Sequence, residues 1–307
     1  MNLRLDRLAT LYLVAPARLF AGESRRVIPV LMYHSVGNED HGGRHAYFQT
    51  SVSPATFFAQ MQHLHRGGYR TCTPGEAVVL LGSSAGATER TVVITFDDGY
   101  CDFYRHAFPV LSQFQFTATM YLPTRYIGQR VRKFKGRECL TWPEVRELQK
   151  FGMSFGSHTV THPQLRTLER NAIERELVDS RKAVEDNTGC AAESFAYPYA
   201  FPQADGEFRK MLRGALQAAG YQNGVCTMVG RVSRHSDSYF LERLPVNNAD
   251  DDALFQAKLT GAYDWVGWLQ SMVKKARSAH AGLSRTIRAP GMTRDVSNIC
   301  HRGDNPQ

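Results

Sequence analysis

Segments typical of β-strands alternate with segments typical of α-helices from residue 27 to about residue 246 of this 307-residue chain. The strand-like runs, among them residues 27–33 and 91–96, are largely apolar, and the segments between them carry apolar residues at helical spacing. Strands buried on both faces are typical of a parallel sheet that is covered by helices. The alternation therefore predicts an α/β fold, built either as a (β/α) barrel or as a doubly wound open sheet.

Two predicted helices begin with capping-box spacing. Thr73 precedes Glu76, and Thr141 precedes Glu144, each at the start of a segment with helical periodicity. In a capping box the Thr hydroxyl and the Glu carboxylate each accept a backbone N–H that the first helical turn leaves free. These pairs therefore predict helices that begin at residues 74 and 142.

Two acidic residues and two histidines stand directly after strand-like runs. Asp97 and Asp98 follow the run at residues 91–96, and His158 and His162 follow a shorter one. Adjacent carboxylates at the end of a buried strand are costly to desolvate unless a cation meets them. Imidazoles at this spacing can converge on one ion. The joint pattern predicts a divalent metal site with one carboxylate left free as a base, although each pair alone would be read as ordinary structural residues.

Three ordered motifs resemble those of the NodB-type polysaccharide deacetylases, carbohydrate esterase family four. The motifs are Thr95-Phe96-Asp97-Asp98-Gly99, Ser157-His158-Thr159-Val160-Thr161-His162 and Phe195-Ala196-Tyr197-Pro198-Tyr199. The likeness extends from residue 29 to residue 246. It implies the family's distorted (β/α) barrel of about seven strands. It also implies metal-dependent hydrolysis of N-acetyl groups on a polysaccharide, an exopolysaccharide or an envelope glycan, with release of acetate.

The resemblance assigns roles to individual residues of these motifs. Asp97 is expected to act as the general base. Asp98, His158 and His162 are expected to hold a divalent ion, in the first place Zn²⁺, with other divalent ions left open. The backbone N–H of Tyr199 is expected to stabilise the oxyanion that forms when water attacks the acetyl group.

The substrate groove is expected to be lined by Tyr197, Pro198, Trp142 and His34. The rings of Trp142, Tyr197 and Phe201 could stack on sugars, although aromatic residues at such positions also serve simply as packing inside the wall. His34 and His235 are candidates for the acid that protonates the leaving amine. For each of them a structural or surface histidine is the alternative.

The chain departs from the family's pattern at two places. Ala196 stands where family members often carry an Arg that contacts the catalytic Asp, and Leu244-Pro245-Val246 stands where many carry Leu-x-His. Our hypothesis is that Arg243 reaches Asp97 from a neighbouring strand end and supplies the missing guanidinium. A solvated charge at the strand end is the alternative. Because a positioned acid contributes only ~10²- to 10⁴-fold, these departures would lower or redirect activity more than abolish it.

The sequence divides into four predicted segments. Residues 1–26 are expected to form an N-terminal helical segment, residues 27–250 the barrel, residues 251–277 an amphipathic helix, and residues 278–307 a disordered basic tail. Docking against the outside of the barrel is the favoured interpretation of the amphipathic helix. A peripheral membrane contact is the second one.

The formal net charge of +8 favours an anionic partner such as an acidic glycan or phospholipid headgroups. No nucleic-acid-binding motif accompanies the charge, which disfavours nucleic acid as a partner. The apolar stretch at residues 8–14 is a poor signal peptide and too short to span a bilayer. The six cysteines include no Cys-x-x-Cys pair, which weakly favours reduced thiols. The location is left open between cytoplasmic and peripheral to a membrane.

Two alternative functions are consistent with the same residues. One is a catalytically impaired, carbohydrate-binding pseudoenzyme that lost the motif-three Arg and the terminal His. The other keeps the chemistry and changes the substrate to a lipid-linked sugar or an O-acetyl ester. The presence of Asp97, Asp98, His158 and His162 together favours an enzyme over a pseudoenzyme.

Overall fold

The computed structural model describes residues 4–19, 26–38, 49–83 and 90–274, and within them seven parallel strands close into a barrel. Each strand pairs with the next one along the chain, and the last pairs with the first. In chain order they are β1 Val30–Tyr33, β2 Thr91–Phe96, β3 Thr119–Leu122, β4 Ser154–Ser157, β5 Ser194–Ala196, β6 Asn223–Val229 and β7 Leu241–Pro245. The predicted (β/α) barrel is therefore confirmed, and the doubly wound open sheet is excluded.

Closure of the barrel depends on β1, which pairs with strands from both ends of the series. Leu31 of β1 lies opposite Ile94 of β2 on one side and Leu244 of β7 on the other. These side chains are fully buried. Burial on both faces explains why β1 and β2 are largely apolar rather than alternating in polarity. The register of β6 against β7 shifts between Val225 and Val229, so β6 is irregular near its end.

The helices lie outside the barrel, and the two predicted to begin at residues 74 and 142 do so. The longer ones are Pro54–Arg66, Pro74–Gly82, Phe108–Gln113, Trp142–Lys150, Arg170–Thr188 and Gly206–Ala218. Single turns of 3₁₀ or π-helix occupy Phe103–Ala107, Thr124–Tyr126 and Leu165–Thr167. Both capping boxes form: the N–H of Thr73 donates to Glu76 over 2.7 Å, and that of Thr141 donates to Glu144 over 2.7 Å.

Short strand pairs surround the barrel. Arg70–Thr71 extends β2 in parallel, and Ser35–Val36 pairs with Ser51–Val52. Val27–Ile28 pairs antiparallel with Val232–Ser233. Lys133–Phe134 pairs antiparallel with Arg137–Glu138 to form a hairpin, called here the 133–138 hairpin, in the connection that follows β3.

The terminal segments of the described chain pack on each other. Residues 5–19 are helical, with a π-helical stretch at Thr10–Val14. The indole of Trp265 donates to the Thr10 hydroxyl over 2.9 Å. Lys258 is fully buried, and its ammonium lies 2.6 Å from Asp250, which also pairs with Arg4 at 3.0 Å. This buried charge cluster joins the N-terminal helical segment to the end of the barrel.

The amphipathic helix predicted at residues 251–277 is not continuous. Helix Asp252–Leu259 ends in a turn at residues 260–264, and helical structure resumes at residues 265–274. Gly261 has φ 85° in this turn, a conformation that glycine adopts readily and that interrupts a helix. Residues 275–277 and the tail predicted at 278–307 lie outside the described residues. In the described part of the chain, every helix is too short or too polar to cross a bilayer.

Candidate active site

The predicted site residues follow three different strands at the same end of the barrel. Asp97 and Asp98 directly follow β2. His158 directly follows β4, His162 lies four residues further along the same loop, and Tyr199 lies in the loop after β5. In a parallel barrel the carboxyl ends of all strands meet at one face. The alternation of strands and helices therefore brings these side chains together, although 59 residues lie between Asp98 and His158.

Asp98, His158 and His162 converge on one point. One potential ligand atom from each lies within 4.8 Å of the other two, and all three residues are buried. The Oδ1 atom of Asp98 lies 3.2 Å from Nε2 of His162 and 3.7 Å from Nε2 of His158. The His158 and His162 rings meet nearly edge to face, with centroids 4.7 Å apart. The three residues predicted as ligands therefore share one small space.

The atoms of this group fit a divalent cation. Asp98 Oδ1 is buried and has no hydrogen-bond partner among the described residues, which is costly unless a cation meets it. His158 Nδ1 donates to the carbonyl of Ala196 over 2.8 Å, which leaves Nε2 as the lone-pair donor. Burial lowers the pKa of His158 to about 4, so its imidazole is neutral at physiological pH. One carboxylate oxygen and two imidazole nitrogens are typical zinc ligands.

Asp97 is held by Arg243 instead of joining this group. Arg243 donates from Nη1 to Oδ1 of Asp97 over 2.7 Å and from Nη2 to Oδ2 over 2.8 Å. Both side chains are buried, at 0% and 2% exposure. Burial alone would raise the pKa of Asp97, but the Arg243 guanidinium more than offsets this and holds that pKa below its usual range. Asp97 is therefore an ionised carboxylate.

Arg243 reaches Asp97 through the interior of the barrel. It projects from β7, its Nε donates to the carbonyl of Cys226 over 3.0 Å, and its Nη1 also donates to the Thr95 hydroxyl over 3.2 Å. Ala196, at the position where family members often carry an Arg, is buried in β5. The solvated-charge alternative for Arg243 is thus inconsistent with its position, while its part in the reaction stays a prediction.

Left-handed backbone positions shape the loops that carry the site. Asp98, Thr159, His162 and Tyr199 have φ between 58° and 69°, a region that costs free energy for residues other than glycine. Gly99 follows with φ 63°, and a Cβ there would lie 3.0 Å from the Ile127 side chain. Such conformations persist only where the surrounding structure enforces them.

Glu176, which the sequence analysis did not single out, fixes the histidine loop. Its carboxylate accepts the N–H groups of Val160 and Thr161 at 2.7 and 2.9 Å and the Thr161 hydroxyl at 2.6 Å. Thr159 Oγ1 accepts the N–H of His162 at 2.9 Å. Glu176 lies on helix Arg170–Thr188, 14 residues beyond His162, and no local sequence signal marks it.

The structure distinguishes the two candidate acids, His34 and His235, by their positions. Nε2 of His34 lies 4.0 Å from Oδ2 of Asp97, at the end of β1. Burial lowers the pKa of His34, and the nearby Asp97 carboxylate opposes that shift. His235 is exposed, and its Nε2 pairs with Arg234 at 3.1 Å. Among the described contacts, only His34 of the two approaches Asp97.

The three residues predicted to stack on sugars are instead packed inside the protein, and Phe201 is fully buried. Trp142 is 5% exposed and belongs to the core, because it occupies the first turn of a helix whose apolar face covers the barrel. Tyr197 is 3% exposed and packs edge to face against Phe201, with centroids 4.9 Å apart. Pro198 is buried as well. These rings offer no open face to a substrate, which corrects that part of the prediction.

Tyr199 is the aromatic residue of the third motif that faces outward. Its side chain is 46% exposed, and its ring packs against the His162 ring with centroids 4.6 Å apart. Its carbonyl accepts the Thr227 hydroxyl at 3.0 Å. Its backbone N–H has no hydrogen-bond acceptor among the described residues. The N–H predicted to bind the oxyanion is therefore available.

The 133–138 hairpin adds residues that the sequence analysis missed. The Phe134 ring lies 5.1 Å from the His162 ring, and the Lys135 ammonium lies 3.5 Å from Asp98 Oδ2. Lys135 and Gly136 form the turn, with φ of 50° and 82°. Gly136 suits the second position of a two-residue hairpin turn, but Lys135 stands where Asn or Asp is usual, so the sequence signal for this turn is weak.

Comparisons with known proteins point to one family. The sequence profile of the polysaccharide deacetylase family matches residues 84–224. YxkH of Bacillus subtilis (strain 168), which is named as a polysaccharide deacetylase, is 32% identical over 230 residues, 75% of each chain. The poly-β-1,6-N-acetyl-D-glucosamine N-deacetylase of Staphylococcus aureus (strain N315) is 25% identical over 243 residues, 73% of this chain and 79% of that one. The solved structure of the Streptococcus pyogenes deacetylase PplD in complex with acetate has a TM-score of 0.66 at 24% identity, covering 77% of this chain and 99% of that one. The chain belongs to the polysaccharide deacetylase family of hydrolases.

Proposed function

We propose that this protein hydrolyses N-acetyl groups on a glycan with the help of a divalent metal ion, for which Zn²⁺ suits the donor set best. The observation that carries the proposal is Asp97, an ionised carboxylate held by Arg243 directly beside three convergent ligand residues. The relative named as a poly-β-1,6-N-acetyl-D-glucosamine N-deacetylase supports an N-acetylated sugar as the reacting group.

Asp98, His158 and His162 would hold the ion. When bound there, such an ion polarises an acetyl carbonyl and lowers the pKa of a water molecule toward ~7. The protein's own part is to keep the donor atoms in place. The carbonyl of Ala196 fixes the ring of His158, and Glu176 fixes the loop that carries His162.

Asp97 is assigned the role of general base. Each oxygen of its carboxylate accepts one hydrogen bond from Arg243 and keeps further lone-pair sites, so it can still take a proton from the attacking water. Arg243 is a positioning residue in this scheme, because it touches the base and not the substrate. It keeps Asp97 ionised and holds the carboxylate in one orientation.

Two further groups would stabilise the charge and transfer the proton that follow the attack. The free N–H of Tyr199 would donate to the oxyanion of the tetrahedral intermediate, an interaction of the kind that contributes most to many hydrolases. His34 is the better candidate for the acid, since it lies beside Asp97 and could pass a proton on to the leaving amine. The exposed ring of Tyr199 replaces Trp142 and Tyr197 as the proposed sugar contact.

We also propose that residues 27–250 form the catalytic unit and that the terminal segments give it a peripheral contact with membranes. The N-terminal helical segment exposes Leu5, Tyr12 and Leu13, and residues 265–274 expose Trp268 and Met272, each between 49% and 70%. Aromatic and aliphatic side chains of this kind bury themselves in the interface of a bilayer. The contact of Trp265 with Thr10 holds the two segments together.

Sedimentation with lipid vesicles checks the membrane contact. We expect the full chain to sediment with vesicles containing anionic lipid, and the double variant Tyr12→Ser/Trp268→Ser to bind ~10-fold more weakly or worse, since large buried apolar area is lost. A matched control, Phe151→Ser, removes an exposed aromatic residue elsewhere, at 61% exposure. Equal sedimentation of all three proteins, or no sedimentation of the unmodified chain, contradicts the membrane contact.

Metal binding is checked by calorimetry on protein that has been stripped with a chelator. We expect one equivalent of Zn²⁺ to bind, and His158→Ala to weaken binding by more than the ~10- to 100-fold that loss of an outer-shell partner costs. Asp97→Asn should bind Zn²⁺ within a few-fold of the unmodified chain, because Asp97 is not a ligand. His235→Ala serves as the control for removing a histidine. Equal affinity of the His158→Ala and His235→Ala proteins would disprove the assigned ligand set.

Removal of the Arg243 side chain should strongly destabilise the metal-free protein. Arg243→Met leaves the buried Asp97 carboxylate without a partner, and breaking a buried pair in this way costs about 3–5 kcal/mol. The double variant Arg243→Met/Asp97→Asn should recover part of that loss, because no buried charge is left over. Urea unfolding in the presence of a chelator measures all three proteins. A loss under about 1 kcal/mol for Arg243→Met would mean that the pair does not stabilise the barrel.

Catalysis is checked by acetate release from N-acetylglucosamine oligomers with Zn²⁺ supplied. Asp97→Asn should lower kcat by at least ~10²-fold while the metal stays bound, as expected for loss of a general base. His34→Gln should also lower kcat, whereas His235→Gln should not. Near-normal activity of Asp97→Asn would overturn the role of that residue. Tight metal binding without turnover on any acetylated glycan would favour the carbohydrate-binding pseudoenzyme.

A further inference from the structure

The 133–138 hairpin places a positive charge at the mouth of the site. The Lys135 side chain is 45% exposed, and its ammonium lies 3.5 Å from Asp98 Oδ2. The same ammonium lies 4.5 Å from the centre of the Phe134 ring and 5.5 Å from that of Tyr199, within the range of cation–π attraction. Lys135 is therefore placed beside the outward-facing ring that we propose contacts the sugar.

The turn of the hairpin fixes this placement. Lys135 and Gly136 are both left-handed, which is the backbone of the tightest hairpin turns. Phe134, the residue directly before the turn, is buried against Tyr126 and His162, with ring centroids 4.4 and 5.1 Å away. Because Phe134 is anchored at the site, packing fixes the backbone from which the Lys135 side chain projects.

The segment around the hairpin is strongly basic. Residues 124–138 contain six basic residues and one acidic residue, Glu138. Glu138 pairs with Arg105 at 2.9 Å, so its charge is already matched. Arg125 and Lys133 are exposed and form no ion pair within the described ranges. The N–H of Arg125 donates to Val160 over 3.0 Å, which places that residue beside the histidine loop.

A neutral N-acetylated polymer does not match this surface. Each acetyl group that is removed leaves an amine, which is protonated at neutral pH, so the product becomes progressively cationic. Like charges across an interface disfavour binding and steer such a chain away. A basic rim is instead suited to a ligand that carries negative charge next to the sugar that reacts.

We infer that the glycan on which this protein acts is anionic, with a carboxylate or phosphate group on a sugar adjacent to the N-acetylated one, and that Lys135 binds that group. The inference rests on the proposed function and adds the substrate class to it. Lys135 would act as a specificity residue, and Arg125 and Lys133 would extend the positive field along the bound chain.

Three acetylated oligomers of equal length test this inference. One is an uncharged N-acetylglucosamine oligomer, one alternates N-acetylglucosamine with glucuronic acid, and one links N-acetylhexosamine units through phosphodiesters. We expect kcat/KM for one of the charged oligomers to exceed that for the uncharged one by ~10-fold or more at low salt, and the ratio to shrink as ionic strength rises. The charged oligomer that is preferred identifies the carboxylate or the phosphate as the recognised group.

Substitutions locate the recognition. Lys135→Gln should reduce the preference for the charged oligomer by about 10-fold, mainly through KM, and Arg125→Gln/Lys133→Gln should reduce it a few-fold, as expected for partly exposed charges. The control Lys150→Gln/Arg175→Gln removes the same charge from exposed positions on outer helices and should leave the preference unchanged. A preference for the uncharged oligomer, or one that Lys135→Gln does not alter, overturns the inference.

A binding measurement separates failure of this inference from failure of the proposed function. Calorimetry with the Asp97→Asn protein compares the affinities for the same three oligomers without any turnover. Tighter binding of a charged oligomer that Lys135→Gln abolishes supports the anionic ligand even where no oligomer is hydrolysed. Equal affinity for all three contradicts it, even where the uncharged oligomer is deacetylated.

Discussion

The buried pair of Arg243 and Asp97 ties the fold of this protein to its chemistry. The two residues lie on β7 and at the end of β2, and the strand between them is β1. The pairing of β1 with both β2 and β7 brings Arg243 and Asp97 together, although they lie 146 positions apart in the chain. Desolvating two charges is expensive, and it is tolerated here because the guanidinium meets the carboxylate with two hydrogen bonds. The strand pairing that closes the barrel therefore also keeps the base ionised and fixes its orientation.

The rigid barrel also supports the strained loops above it. Asp98, His162 and Tyr199 each adopt a left-handed backbone, and they belong to three loops that follow three different strands. Such conformations need compensation from their surroundings, which Glu176 supplies for the histidine loop. The surrounding structure thus holds these loops in conformations that they would not adopt alone, and the loops fix the positions of the ligand residues. A scaffold commonly preorganises a site in this way.

The sequence predicts much of this arrangement, because the strands, the capping boxes and the clustering of Asp98, His158 and His162 depend on local patterns. It does not decide between a closed barrel and an open sheet, since both have the same alternation of strands and helices. It also misplaces Trp142 and Tyr197: whether an aromatic side chain faces the groove or the core depends on the direction of a helix or strand, which residue type does not reveal. Glu176 and Lys135 were missed because their contacts with the site arise only in three dimensions.

Most carboxylates near the catalytic face form ion pairs with Arg residues of the protein. Asp97 is matched by Arg243, Asp102 by Arg137 and Glu138 by Arg105. Asp98 is the carboxylate of this group that faces the two imidazoles and Lys135. Asp97, Asp102 and Glu138 thus have ion-pair partners of their own, whereas the exposed Arg125 and Lys133 on the connection after β3 form no ion pair among the described residues and present positive charge to solvent. The base, Asp97, is paired inside the barrel with Arg243 and does not need the basic residues of the 133–138 hairpin. These residues can therefore select the substrate by its charge. We accordingly expect discrimination between glycans to depend on the hairpin, and the reaction itself to depend on the barrel.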